Sequence, residues 1–277
     1  MMTTPYSAYK KKIHTCPVIS NTNLVGEIYL MRLACPDISA FSLPGQFVNV
    51  KVNDEVIPLL RKPFSVCRRS SAEGWFEVLW KVVGKGTKIM ADLRAGDSVS
   101  VVGPLGRGFR TAPKSGMALL VAGGIGVAPF PFLCEQLLAE GVEVEIFLGA
   151  QSTADLAMVD VFAEAGVPVT IATEDGSTGH RGLVTESLLK RLSSVADMAG
   201  VHLFSCGPTG FLKAMTAISE ECKVEGQVAI ETMMGCGFGI CVGCPVRVRN
   251  PRAGEKLYKL SCIDGPVFGT REICLDG

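Results

Sequence analysis

The sequence predicts a mixed β and α/β protein in three parts: an antiparallel β-barrel over residues 1–112, a parallel α/β domain over 113–226 and a small cysteine-rich domain over 227–277. Three observations carry this prediction. Short β-like runs separated by Gly, Pro and Asp fill the first part, apolar strands alternate with amphipathic helices in the second, and periodicity is lost around a cluster of cysteines in the third.

In the first part the runs are "EIYLMRLAC", "QFVNVKV", "WFEVLWKVV" and "DSVSVVGPLG". Strands at this spacing, with turn signals between them and little helical pattern, suggest a small antiparallel barrel or sandwich. In the second part "MALLVAGG", "VEVEIFLGA", "VPVTIATED" and "VHLFSC" read as buried strands. Between them lie the helical segments "APFPFLCEQLLAE", "DLAMVDVFAEAG", "LVTESLLKRLSSVA" and "GFLKAMTAISEECKV". Such alternation builds βαβ units on a parallel sheet, with ligands expected beyond the carboxyl ends of the strands. A last strand-like run, "QVAIETM", opens the third part.

Composition narrows the function classes. Hydrophobic residues make up 48% of the 277 positions and charged residues 19%, which argues for packed cores and against disorder. The 27 basic and 27 acidic residues cancel, so nothing favours nucleic acid or an anionic membrane, and small molecules or another protein are the expected partners. The N-terminal "MMTTPYSAYKKKIHTCPV" lacks a signal-peptide apolar core, and no run of about 18 apolar residues suggests a membrane span. The expected location is therefore the cytoplasm. Of 11 cysteines, those dispersed at Cys16, Cys35, Cys67, Cys134, Cys206, Cys222 and Cys274 read as small apolar residues rather than disulfides.

The clustered cysteines carry chemistry. Cys236, Cys241 and Cys244 are spaced C-x4-C-x2-C, and Cys262 follows after seventeen residues. This three-plus-one arrangement is the plant-type ligand pattern of a 2Fe-2S cluster, two thiolates to each iron. The intervening glycines permit positive φ and close approach of backbone N–H groups. A structural zinc site is the alternative, but it usually shows two C-x2-C knuckles and only Cys241 and Cys244 form one. An iron–sulfur cluster moves one electron at a time, so the rest of the chain should hold a donor.

Two pairs of motifs fit that need. In "VAGGIGVAPF", Gly123, Gly124 and Gly126 lie between a buried strand and a helix, where a pyrophosphate could approach the backbone; a plain tight turn is the alternative. Cys206, Gly207 and Pro208 end another parallel strand at the same sheet edge, where a nicotinamide could be held; a core cysteine before a turn is the alternative there. In the first part, Arg61 or Lys62 could neutralise a phosphate and Ser65 could hydrogen-bond a ring nitrogen. Gly84, Gly86 and Thr87 begin a short helix that offers another anion site, against a hairpin loop and a capped helix as the simpler reading.

Together these motifs resemble the ferredoxin–NADP reductase superfamily over residues 15 to 230, on K-P-F-S at 62–65, G-K-G-T at 84–87, G-G-I-G-V-A-P at 123–129 and C-G-P at 206–208. "GCGFGICVGC" with "SCIDGPVF" narrows the resemblance to the electron-transfer subunits of B-type dihydroorotate dehydrogenases. That resemblance implies FAD on the barrel, NADH on the α/β domain and a 2Fe-2S cluster on Cys236, Cys241, Cys244 and Cys262. It implies Lys62, Pro63, Phe64 and Ser65 as the flavin motif, with Lys62 in place of the usual arginine and Arg61 out of register. It also implies Leu79, Trp80 and Lys81 along the flavin and Gly86 and Thr87 at its pyrophosphate, and a hairpin before Cys262. The implied acceptor is FMN in a dihydroorotate dehydrogenase catalytic subunit, in a heterotetramer of two of each, in pyrimidine biosynthesis. Orotate chemistry and a general acid or base are not expected in this chain.

Glu174 and Asp175, and the lack of an arginine after the second and third strands of the α/β domain, favour NADH over NADPH. The competing enzyme reading is the small subunit of an NADH-dependent ferredoxin:NADP oxidoreductase or sulfide dehydrogenase, in which one cluster ligand is expected not to be cysteine. A colourless zinc-stabilised nucleotide-binding regulator is the reading from another class. Met233, Met234, Phe238, Ile240 and Val242 form the expected apolar docking face beside the cluster.

Overall fold

The computed structural model describes residues 12–53, 55–111 and 116–275. The first part contains β1 (Lys12–Val25), β2 (Ile28–Ala34), α1 (Pro36–Phe41), β3 (Phe47–Lys51), β4 (Lys62–Ser70), β5 (Trp75–Lys81), α2 (Lys85–Asp92) and β6 (Ser98–Leu105). Its strands close into an antiparallel barrel in the order β1-β2-β5-β4-β3-β6. Strand alternation decides what fills it: Met31, Leu33, Val48, Val50, Val66, Val78, Trp80 and Val101 all point inward and are essentially inaccessible to solvent. Closure leaves no unpaired edge.

The second part contains β7 (Met117–Gly123), a 3-10 turn at Gly124–Val127, α3 (Phe130–Ala139), β8 (Glu143–Ala150), α4 (Val159–Glu164) and β9 (Val169–Thr173). These are followed by β10 (His180–Arg181), α5 (Val184–Ser193), β11 (Val201–Cys206), α6 (Thr209–Glu221) and β12 (Glu225–Ala229). The chain ends with β13 (Pro245–Arg247), β14 (Tyr258–Leu260), α7 (Ser261–Asp264) and β15 (Val267–Gly269). The main sheet runs β10-β9-β8-β7-β11-β12-β15, parallel except for β15, which pairs antiparallel with β12. β13 and β14 form the hairpin expected before Cys262.

The expected boundary at residue 227 lies within β12. The run "QVAIETM" leaves the strand after Ala229, and β15 of the last part extends the sheet of the second. Three residues with no pattern of their own gave no signal of that return.

Barrel and sheet are joined by α3. Phe130, Leu133, Cys134 and Leu137 pack with the sheet residues Leu120, Ile146 and Phe204, whereas Phe132 packs with the barrel core. Arg69 of β4 lies 5.0 Å over the Phe132 ring. The outer side of the barrel contributes Ile28, Cys67 and Leu79 to the same apolar cluster as Cys206 and Phe204. Burying a side chain of this size contributes about 1.5–3 kcal/mol, so the seam is an extended core and not a flexible link.

All 11 cysteines are free, and among the described residues no helix is long and apolar enough to cross a membrane. On the barrel wall, Glu77 is buried between two arginines: Arg32 Nε donates to Oε1 at 2.9 Å and Arg68 Nε to Oε2 at 2.6 Å. Replacing Glu77 by Leu leaves two facing guanidiniums without a counter-charge. Urea unfolding of E77L should show a loss of about 2–3 kcal/mol, below the full penalty for a broken buried pair because both arginines keep some solvent, while E77Q should lose less.

Candidate functional site

The carboxyl ends of β7 and β11 meet because their turns are built from glycine. A Cβ on Gly126 would sit 2.1 Å from the Cys206 carbonyl oxygen, and one on Gly207 would sit 3.1 Å from Gly123 Cα. Gly124 takes φ +55°, a left-handed conformation in which glycine carries no Cβ penalty. Pro208 and Phe211, at the start of α6, close over Gly123. The result is a cleft of about 550 Å³ at the sheet edge, bounded by Gly123, Gly124, Gly207 and Pro208 on one side and by Ile28 and Lys81 of the barrel on the other. Its volume and its free backbone suit a dinucleotide.

Two charged features set its electrostatics. Lys81 Nζ lies 2.7 Å from Asp155 Oδ1, an ion pair that ties β5 to the segment after β8 across the cleft. Glu231, just past β12, is solvent-accessible and lines the cleft near Cys206. Desolvation by the surrounding cleft walls pushes the Glu231 carboxyl above its ordinary range, and burial followed by the Glu231 charge pushes the Cys206 thiol up. Cys206 is therefore neutral and 5% exposed, packed in the apolar cluster next to Gly207 of the cleft wall. Glu174 also lines this cleft.

On the barrel, Lys62 lies against Gly86: a Cβ there would come within 2.9 Å of Lys62 Cε. Among the described residues Lys62 forms no ion pair and the Ser65 hydroxyl no hydrogen bond, so both remain available to a ligand. Arg61 is committed elsewhere, donating to the Ser100 carbonyl at 2.7 Å and to Ser100 Oγ at 2.9 Å. Pro63 and Phe64 are half-buried within β4. Glycine at 86, a free ammonium beside it and the open first-turn N–H groups of α2 fit a flavin pyrophosphate.

Two expectations need correction here. The Trp80 ring does not run along the cleft; it points into the barrel and stacks on Tyr29, with centroids 4.8 Å apart. Strand parity puts Leu79 on the outer side instead, in the seam. The Thr87 hydroxyl does not face a ligand either, because it accepts from the Val83 and Gly84 N–H groups and donates to the Gly84 carbonyl, capping α2. Only its backbone N–H remains for an anion.

The four cysteines form two pairs. Cys236 N donates to Cys241 Sγ and Cys241 N to Cys236 Sγ, each at 3.4 Å, and Phe238 N donates to Cys236 Sγ at 3.5 Å. Cys244 Sγ and Cys262 Sγ lie 3.2 Å apart. Burial opposes ionisation of Cys236, but N–H donation from the loop outweighs it and holds the thiol down to about 6. Burial, and then the neighbouring Cys244 sulfur, push Cys262 up. Among the described residues no three ligating side chains converge on a point that one ion could fill. Two thiolate pairs with N–H···S bonds suit two irons sharing sulfides and do not suit one tetrahedral zinc.

The pairs differ in exposure. Cys244 and Cys262 are buried against Phe47, Val102 and Leu105 of the barrel, whereas Cys241 is exposed. Around the exposed pair Met233, Phe238, Ile240 and Val242 are open to solvent, as the docking face requires, while Met234 turns inward against the barrel cluster. Sequence reasoning missed Glu231, Asp155 and Asn49. Only Glu231 had a signal, an acid directly after an apolar strand at the ligand-binding edge of a sheet.

Comparison with known proteins agrees with this geometry. Residues 15–109 match an oxidoreductase FAD-binding domain, 120–217 an oxidoreductase NAD-binding domain, and 231–274 the iron–sulfur cluster binding domain of dihydroorotate dehydrogenase B. A solved structure of an NADH-dependent reduced ferredoxin-NADP oxidoreductase, described for flavin-based electron bifurcation, superposes with a TM-score of 0.83 at 30% identity, covering 95% of this chain and 91% of that one. Fold and site thus define an oxidoreductase with FAD, NAD and iron–sulfur sites in one chain.

The dihydroorotate dehydrogenase B (NAD(+)) electron transfer subunit of Desulforamulus reducens is 37% identical, covering 95% of this chain and 98% of that protein. Its counterpart in Bacillus cereus strain Q1 is also 37% identical, covering 93% and 97%. The chain belongs to the family of dihydroorotate dehydrogenase B electron transfer subunits.

Two outcomes follow from the cleft. Gly126→Ala must part the 3-10 turn from β11 by about 1 Å, and NADH affinity measured by fluorescence titration should fall roughly 100-fold, whereas an unchanged affinity would place the nucleotide elsewhere. An ionised Glu231 favours the cationic ring of NAD+ over neutral NADH. NAD+ affinity should therefore rise with pH through the raised Glu231 pKa, and Glu231→Gln should flatten that profile.

Proposed function

We propose that this chain takes electron pairs from NADH at the cleft between barrel and sheet and delivers them singly, across the cysteine loop, to the FMN of a dihydroorotate dehydrogenase catalytic subunit. Two of each chain form the working complex, which serves pyrimidine biosynthesis. The observation that supports the reading is the packing of Cys244 and Cys262 on the barrel wall next to β4. Phe47 and Asn49 of β3 touch the cysteine segment, and Ser65 and Pro63 of β4 are their paired neighbours.

When bound, FAD supplies the exchange between two-electron hydride chemistry and single-electron transfer, and the iron–sulfur cluster carries single electrons onward. The chain's own residues bind and orient. The Lys62 ammonium and the first turn of α2 take the flavin pyrophosphate, and Ser65 donates to the ring. Gly123, Gly124 and Gly126 leave the backbone bare for the nicotinamide dinucleotide, while Pro208 and Phe211 exclude water from its reacting end. Cys206, neutral and buried, packs against the nicotinamide without exchanging a proton. The carboxylates of Glu174 and Asp175 repel a 2′-phosphate and select NADH.

The complete ligand set favours this reading over a ferredoxin:NADP oxidoreductase subunit, since Cys262 is buried in contact with Cys244 and no ligand position lacks a thiol. The exposed Met233, Phe238, Ile240 and Val242 are the surface on which the catalytic subunit docks. Anaerobic purification from the native host should yield a coloured protein with flavin and iron–sulfur bands, bound to an FMN-containing dihydroorotate dehydrogenase and reduced faster by NADH than by NADPH. A colourless zinc protein, or a different co-purifying enzyme, contradicts the proposal.

A further inference from the structure

Asn49 is fully buried in the outer face of β3, and no role in nucleotide or flavin binding falls to it. Its Nδ2 donates to the carbonyl oxygen of Cys236 at 2.9 Å, across 187 residues of sequence. The opposite amide orientation would set two acceptors against each other, so the contact itself selects the donor. Gly237 presses on the same amide: it takes φ +80°, and a Cβ there would lie 2.5 Å from Asn49 Nδ2. On the chain side, Arg61 donates to the Asn49 carbonyl and to Ser100, fixing this part of β3. Asn49 is also paired in register with Pro63, in the flavin motif of β4.

We infer that Asn49 is a positioning residue that pins the first cluster ligand to the flavin-bearing wall of the barrel and thereby sets the donor hydrogen bonds received by the Cys236 and Cys241 sulfurs. The Cys236 carbonyl is the anchor of the turn whose N–H groups, from Cys236, Phe238 and Cys241, reach those two sulfurs at 3.4–3.5 Å. Hydrogen bonds to cluster sulfurs favour the reduced, more negative state. Releasing the carbonyl frees the turn, weakens these bonds and makes the cluster harder to reduce, without touching a ligand.

The inference rests on the proposed 2Fe-2S cluster, and its test separates the two. The holoprotein is reduced with dithionite, its EPR spectrum recorded and its cluster midpoint potential titrated, in wild type and in Asn49→Ser, whose hydroxyl is too short to reach Cys236. The expected result is retained FAD absorption, altered g-values and a more negative potential, the cluster being reduced about fivefold less readily, the worth of one hydrogen bond. Unchanged g-values and potential in N49S overturn the inference. If N49S does not fold, Gly237→Ala, which displaces the same contact from the loop side, must produce the shift, and its absence there overturns the inference equally. A wild-type protein with no reduced-cluster signal instead defeats the reading on which the inference rests.

Discussion

The arrangement of this molecule depends on a five-residue strand with two different faces. Val48 and Val50 of β3 fill the barrel, while Phe47 and Asn49 on the other face carry the cysteine segment. Both faces are buried, so the strand cannot slip by one residue without moving its polar amide into the barrel and its valines under the cluster ligands. Neighbouring strands lie about 4.8 Å apart, which fixes the proposed flavin motif of β4 and the proposed cluster seat on β3 as adjacent rows of one wall. Proximity of the two redox sites is thus a consequence of sheet register.

The rest of the electron route follows from the same economy. The parallel sheet brings Gly123 and Cys206 to one edge, and α3 holds that edge against the barrel with Phe132 on one side and Phe130 on the other. The return of β15 onto β12 ties the cysteine segment to the sheet as well as to the barrel. Three sites are therefore held by one continuous set of cores. Cys244 and Cys262 face the barrel and Cys241 faces solvent, which gives the proposed path a direction from the interior to the proposed docking surface.

Much of this was legible in the sequence because it depends on local patterns. Short β-like runs punctuated by turn residues pointed to the barrel strands, apolar runs with intervening helices to the parallel sheet, and four cysteines at defined spacings to the cluster. Contacts decided by tertiary placement were not legible. Strand parity shows that Leu79 and Trp80 face opposite ways but not which of them lies inside a closed barrel, and the barrel took Trp80. A threonine three residues into a glycine-rich turn serves equally as a cap or as an anion ligand, and at Thr87 the cap won. The bond from Asn49 to Cys236 joins residues with no common motif, and β15 is too short to carry a pattern.

The central claim is that one chain conducts from the cleft to the exposed cysteines through adjacent rows of the barrel. Freeze-quench EPR of the holoprotein mixed anaerobically with one equivalent of NADH, without its partner, tests it most directly. The account predicts that the reduced-cluster signal rises on the heels of flavin bleaching in the same sample. Bleached flavin beside a cluster that stays oxidised, although dithionite reduces it, would contradict the account.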